Sequence, residues 1–136
     1  MFKFSKNSLD RLNSCHPDLQ LIFIEAIKIM DCAVLEGYRS DSEQQEYFRQ
    51  GKSKKQAGQS KHNCVPSMAV DVAPYPINWD DKERFYYFAG IVKGVASMLL
   101  EQGKISHKIR FGGDWDGDNN LNNQTFFDLP HYELEK

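Results

Sequence analysis

Two histidine–aspartate pairs, far apart along the chain, constrain its fold more than any other feature. His62 and Asp71 lie in Ser60-Lys61-His62-Asn63-Cys64-Val65-Pro66-Ser67-Met68-Ala69-Val70-Asp71, and Asp128 and His131 in Asp128-Leu129-Pro130-His131-Tyr132-Glu133-Leu134. Two imidazoles and one carboxylate are the donor set of a catalytic zinc ion, held by three protein ligands with a fourth position open to water. If His62, Asp71 and His131 share one ion, the fold must carry a late segment back onto a mid-chain one. His62 and Asp71 converge only if the residues between them fold back, and Asn63 to Ser67, with Pro66 inside, can make that turn. Strand alternation puts His131 and Glu133 on one face and Tyr132 on the other. Asp128, just before His131, is placed to take a proton from a metal-activated water and return it to a leaving group. The chemistry this points to is hydrolytic.

The rest of the pattern supplies elements for such a site. Pro17 suits a first helical position after His16, and Leu19, Ile22, Phe23, Ala26, Ile27 and Met30 form one apolar helical face. Residues 32–38 read as a short strand that delivers Arg39. Ser40 to Glu43 is a capping box opening a helix that ends near Gln50 and Gly51. Residues 51–67 are polar and loop-like, and the basic stretch Lys52-Ser53-Lys54-Lys55 reads as solvated loop. Residues 68–73 form a compact apolar strand carrying Asp71. Asp80-Asp81 opens the longest helix, which ends near Gly103 and buries Phe85, Phe88, Ala89, Ile91, Val92, Val95, Ala96, Leu99 and Leu100. Ile109-Arg110-Phe111 and His131 to Leu134 are short strands, separated by a loop rich in glycine, aspartate and asparagine. Helices mixed with short strands predict an α+β fold, a single domain over residues 1–136 with a small, mostly antiparallel sheet.

Composition narrows the partners. A chain of 136 residues with 40% hydrophobic and 26% charged residues suits one soluble domain. The net charge of 17 − 19 = −2 gives no electrostatic case for nucleic acid or an anionic membrane surface. No apolar run approaches the roughly 18 residues of a membrane span, and the N-terminus lacks the apolar core of an export signal. Cys15, Cys32 and Cys64 are odd in number with no close pair, which predicts reduced thiols. Cys64 lies near His62, but Asp71 is the better-placed ligand. His16 and His107 have no aspartate-bearing strand beside them and read as structural. Asp114, Asp116 and Asp118, with Gly117, Asn119 and Asn120 among them, resemble the first half of a calcium loop, although Thr125 stands where the loop's closing glutamate belongs. A solvated acidic turn accounts for them equally well.

The residues also carry a family resemblance. Ser60-x-His62, the stretch Pro66-Ser67-x-Ala69-Val70-Asp71-Val72-Ala73-Pro74, and Asp128-x-x-His131-x-Glu133 resemble the metallopeptidases of the D-alanyl-D-alanine carboxypeptidase superfamily (peptidase M15). The nearest likeness is to bacteriophage L-alanyl-D-glutamate endopeptidases, which are endolysins. It extends to Phe2-Lys3-Phe4-Ser5, to Gly37-Tyr38-Arg39-Ser40 with Glu43-Gln44, and to Phe111-Gly112-Gly113-Asp114-Trp115-Asp116. The resemblance implies a fold of the Hedgehog/D,D-peptidase type, zinc on His62, Asp71 and His131, and Asp128 as acid/base. Carboxypeptidase relatives usually have glutamate at that last position, so aspartate tilts toward the endopeptidase branch.

Further expectations follow from the resemblance. Arg39 is placed in the cleft, stabilising an oxyanion or holding a substrate carboxylate; the plainer reading pairs it with Glu43 or Glu46 on the surface. Ser60 and Trp115 are candidate substrate contacts, Ser60 alternatively shaping its turn, and Gln44 is a contact or a support. The implied substrate is the peptidoglycan stem peptide, the implied cofactor Zn²⁺ with Ca²⁺ as a candidate second ion, and the implied setting lysis of a bacterial host. The enzyme would be a monomer made in the host cytoplasm that reaches the wall once the membrane is permeabilised, with no separate wall-binding module. Three rivals remain: a D,D- or L,D-carboxypeptidase, a non-catalytic zinc- or wall-binding domain, and a calcium-responsive module built on Asp114 to Asn120.

Overall fold

A computed structural model describes residues 1–135. Four helices, α1 (Lys6–Asn13), α2 (Pro17–Ile27), α3 (Asp41–Arg49) and α4 (Lys82–Glu101), surround four strands, β1 (Cys32–Glu36), β2 (Ala69–Pro74), β3 (Ile109–Phe111) and β4 (His131–Leu134). The strands form one sheet in the order β1-β2-β4-β3, and every pairing is antiparallel. The α+β architecture expected from the sequence is the one observed.

Alternation divides the sheet into two chemically different faces. Cys32, Val34, Val70, Val72, Phe111, Tyr132 and Leu134 point into the core with Leu19, Ile22, Phe23 and Ala26 of α2 and Phe88, Ala89, Val92 and Ala96 of α4. Tyr132 is the hub, stacked on Phe111 at 5.3 Å between centroids and edge-on to Phe23 at 5.3 Å. On the other face lie Asp71, His131, Glu133 and Arg110, because register sets Asp71 opposite His131 and Arg110 opposite Glu133. Apolar residues thus fix the sheet from one side and leave the polar ones aligned on the other.

α1 was not anticipated from the pattern, since it buries only Ser8 and Leu12. It serves the sheet edge instead. The Ser8 hydroxyl accepts from Val34 N at 3.0 Å and Arg11 Nη1 donates to Val34 O at 3.1 Å, so backbone groups of the outermost strand are satisfied. α2 begins with Pro17 at its first turn and stops at Ile27, leaving Met30 packed against the core from the following turn. α4 buries Phe85, Phe88, Ala89, Val92, Ala96 and Leu99, while Ile91, Val95 and Leu100 of its expected face are only half-buried. Among the described residues, no helix is long and apolar enough to cross a membrane.

Candidate metal centre and cleft

Strand pairing brings Asp71 and His131 together. The connection before β2 delivers the third residue through a single 3-10 turn, Lys61–Asn63, capped by Ser60, whose hydroxyl accepts from His62 N at 3.1 Å. That turn is clamped to the end of β1: Arg39 N donates to His62 O at 2.8 Å and Asn63 Nδ2 to Arg39 O at 2.8 Å. The Asp128–His131 turn is clasped by Gly112, which donates to His131 O at 2.8 Å and accepts from Asp128 N at 2.9 Å. A Cβ on Gly112 would sit 2.0 Å from Asp128 O, so only glycine permits this approach.

The donor atoms converge as a metal requires. His62 Nε2 lies 3.4 Å and His131 Nδ1 3.2 Å from Asp71 Oδ1. Ligands of one tetrahedral zinc, with bonds of ~2.0–2.1 Å, are separated by about 3.3 Å. Hydrogen bonding fixes which ring nitrogen each histidine offers. His62 Nδ1 donates to Gly37 O at 2.8 Å, which leaves Nε2 as a bare lone pair, buried and without a partner. His131 Nε2 meets Glu133 Oε1 at 2.8 Å, which turns Nδ1 inward. A buried, unpaired imidazole nitrogen costs free energy unless something occupies the point it faces. The residues present fit a divalent ion.

Electrostatics agree. Burial pushes the Asp71 carboxyl up, but hydrogen bonds and charge from His131 and His62 outweigh it and hold Asp71 well below the ordinary carboxylate range. Burial alone would lower His131, yet Asp71 and Glu133 raise it to about 9. Glu133 is buried too, and His131 with Lys61 brings it down to about 2. Asp128 moves the other way, raised by burial and then by the Asp71 charge. Its Oδ2 stands 4.0 Å from His131 Nδ1, with its side chain 41% exposed. A half-exposed carboxyl with raised proton affinity beside the metal position is suited to proton transfer.

These residues form the floor of a cleft of about 610 Å³. A family model described as phage L-alanyl-D-glutamate peptidase matches residues 1–135. The chain belongs to that family. Among proteins similar to this peptidase, the L-alanyl-D-glutamate peptidase of Escherichia phage T5 is 30% identical over 143 residues, covering 98% of each chain. The peptidoglycan L-alanyl-D-glutamate endopeptidase CwlK of Bacillus subtilis (strain 168) is 33% identical over 122 residues, 80% of this chain and 64% of its own. The crystal structure of the Serratia marcescens L-Ala D-Glu endopeptidase ChiX superimposes with a TM-score of 0.73 at 26% identity, covering 99% of this chain and 90% of that one.

The structure of the peptidase places the other residues that the sequence singled out. Arg39 does not pair with Glu43 or Glu46. It is buried, held by Glu36 through two bonds of 2.9 Å, by Gln44 Oε1 at 2.7 Å and by the Tyr47 ring at 4.5 Å, with Nη2 4.0 Å from Asp71 Oδ2. Gln44 is fully buried, so it supports Arg39 and the adjoining loop and cannot contact substrate. Ser60 is buried as the cap of the His62 turn while still bordering the cleft. Trp115 lines the cleft, 5.4 Å from the His131 ring and stacked on Phe126. Lys52 to Lys55 lie in a loop whose three lysines are exposed, as expected, and that loop also borders the cleft.

His16 and His107 do have acidic company: His107 Nδ1 lies 2.8 Å from Asp18 Oδ2, and His16 Nδ1 accepts from Asp18 N at 3.0 Å. These bonds cap α2 and tie it to the segment before β3. Cys64 is exposed and outside the ligand cluster. Asp114, Asp116 and Asp118 do cluster. Asp114 is buried, with Oδ2 bonded to Asn119 N at 2.9 Å and to Lys93 Nζ at 3.3 Å, and Oδ1 without a partner.

Glu36 and Glu133 were absent from the expected site. Glu133 was signalled by sharing a face with His131. Glu36 was hidden by a bulge between Val34 and Glu36, without which alternation would point it into the core.

Proposed function

We propose that the peptidase is a zinc-dependent endopeptidase that cuts the L-Ala–D-Glu bond of the peptidoglycan stem peptide. The observation supporting this most directly is the convergence of His62 Nε2, Asp71 Oδ1 and His131 Nδ1, each with its lone pair turned inward, on a cleft floor beside Asp128. A zinc ion on these three atoms would polarise the scissile carbonyl and acidify water at its open position. Asp128 then accepts the proton of the attacking water at a carboxylate oxygen and delivers it to the departing amine. Arg39 has three of its five N–H groups engaged by Glu36 and Gln44. Held rigid, it directs positive charge at the site where the carbonyl oxygen becomes negative. Trp115 and Tyr47 supply apolar walls for the peptide, and Ser60 a polar edge.

The phage relative supports a role in lysis of a bacterial host, with the enzyme acting on the wall once it has crossed or bypassed the membrane. Ca²⁺ is proposed for the Asp114, Asp116 and Asp118 loop, on the strength of the unpartnered buried Oδ1 of Asp114. Mass spectrometry of digested peptidoglycan tests the whole reading. Fragments newly ending in L-Ala are expected, with the remainder beginning at D-Glu, whereas release of free D-alanine would make the enzyme a carboxypeptidase. Asp128→Asn should lose about 10²–10⁴-fold in turnover while keeping its zinc by elemental analysis. Full activity in that variant would remove Asp128 from the mechanism.

A further inference from the structure

The segment from Lys52 to Lys55 forms a strap along the cleft. Gly51, at φ 78°, turns the chain out of α3. The strap is then fastened back onto that helix: Lys52 N donates to Tyr47 O at 2.9 Å, and Gln44 Nε2 donates to Ser53 Oγ at 2.9 Å and to Lys55 O at 2.7 Å. Because Gln44 also accepts from Arg39, one buried amide sets the strap relative to the catalytic floor. Lys54 Nζ reaches across to lie 5.1 Å over the Phe126 ring, and Lys52 Nζ lies 5.7 Å over Tyr47.

Charge pairing separates these lysines from the other cations of the cleft. Lys61 and Arg110 both meet Glu133, at 3.2 and 3.3 Å, and Arg39 meets Glu36 at 2.9 Å. Among the described residues, Lys52, Lys54 and Lys55 have no carboxylate within 4.0 Å; the cleft's acidic residues are engaged by its other cations or, like Asp71 and Asp128, face the metal position. In a protein of net charge −2, three unpaired ammonium groups on one tethered loop are a local positive field in an otherwise acidic molecule.

The substrate supplies a matching charge. A glutamyl residue whose amine lies in the scissile bond has two carboxyl groups. Only one can continue the chain, so the other is a free anion within a few bonds of the amide being cut. We propose that Lys52, Lys54 and Lys55 form a carboxylate-binding strap, which selects stem peptides with a free carboxylate on the D-glutamyl side of the bond over those in which it is amidated. This rests on the endopeptidase reading above and adds to it a determinant of substrate choice.

Two synthetic stem peptides, identical except that the free glutamyl carboxylate of one is a carboxamide in the other, test the strap with the zinc-loaded enzyme. Wild type should prefer the acid by about tenfold in kcat/KM, carried mainly by KM, as expected of three partly screened ion pairs. The preference should shrink with added salt. Replacing all three lysines by glutamine should make the two peptides equivalent. Lys54→Gln alone should remove about two- to threefold of the preference, and triple replacement by arginine should retain it. Lys104→Gln, outside the cleft, serves as the control for net charge and should leave the preference in place. Equal cleavage of both peptides by wild type, or an undiminished preference in the triple glutamine variant, overturns the strap alone. Cleavage of neither peptide would instead overturn the endopeptidase reading.

Discussion

Each imidazole of the metal centre has one nitrogen engaged by the protein and one turned inward, and the two engagements differ in kind. His62 is held by the Gly37 carbonyl, a backbone group that no side-chain substitution removes. His131 depends on the Glu133 carboxylate, which Lys61 and Arg110 orient from its other oxygen. Such outer carboxylates fix the tautomer and raise the basicity of the ligating nitrogen. Glu133→Gln should therefore weaken zinc binding by about 10–100-fold, measured by competition with a chromogenic chelator, while circular dichroism stays native. Unaltered affinity would show that Glu133 only packs the ring. At this scale the clustering of His62, Asp71 and His131 near Asp128 was legible from residue type and spacing, with alternation marking the His131 face of the last strand. Glu36 was not, since nothing local announces the bulge that turns it from core to cleft. Nor could the lysine strap be placed, because its path depends on Gln44 being buried beneath it.

Among the elements, helix ends and the core face of the sheet carry the testable consequences. The Asp18 carboxylate, in the first turn of α2, accepts from Ser106 N at 2.9 Å, His107 N at 3.2 Å and His107 Nδ1 at 2.8 Å, tying the helix to the approach to β3. Asp18→Asn should cost about 1–3 kcal/mol, read by urea unfolding. Burial raises this carboxyl, but the His107 ring and the two backbone donors more than compensate and lower it from 3.8. A depressed acid contributes its stability above its unfolded pKa and loses it as pH falls through the folded value. The advantage of wild type over the variant should thus narrow below about pH 4; a constant gap would deny the carboxylate its charged role. Tyr132 makes the opposite case, being fully buried with a hydroxyl that has no partner among the described residues. Tyr132→Phe keeps the ring contacts and should raise stability by about 1 kcal/mol, whereas a loss would reveal a hydrogen bond to that oxygen. α2, α4 and the strands were readable from periodicity. α1 was not, because Ser8 and Arg11 act on a strand edge and leave no apolar stripe; its one local mark is Ser5, whose hydroxyl accepts from Ser8 N.

For the molecule as a whole, an ion held by the proposed ligands would act as a fastener between distant parts of the chain. The 3-10 turn, β2 and β4 each contribute one candidate ligand, so an ion binding only the folded form should stabilise it by about 4 kcal/mol when present at a thousand times its dissociation constant. Scanning calorimetry with and without a chelator should show a clear fall in Tm, and an unchanged Tm would mean that no ion is bound there. In the metal-free protein the His131 ring, raised to about 9 by Asp71 and Glu133 against the effect of burial, is protonated at neutral pH. Zinc must displace that proton, so its affinity should climb as pH rises toward 9. The order of the sheet carries one more consequence. β4 follows β3 in sequence yet lies between β2 and β3, so β3 has no hydrogen-bonded neighbour until β4 slides in. A nascent chain still emerging from the ribosome, or a proteolytic remnant that has lost this strand, holds His62 and Asp71 without His131. On the proposed metal reading such a fragment should be inert, with cutting power arriving only with the last strand of the sheet to be made.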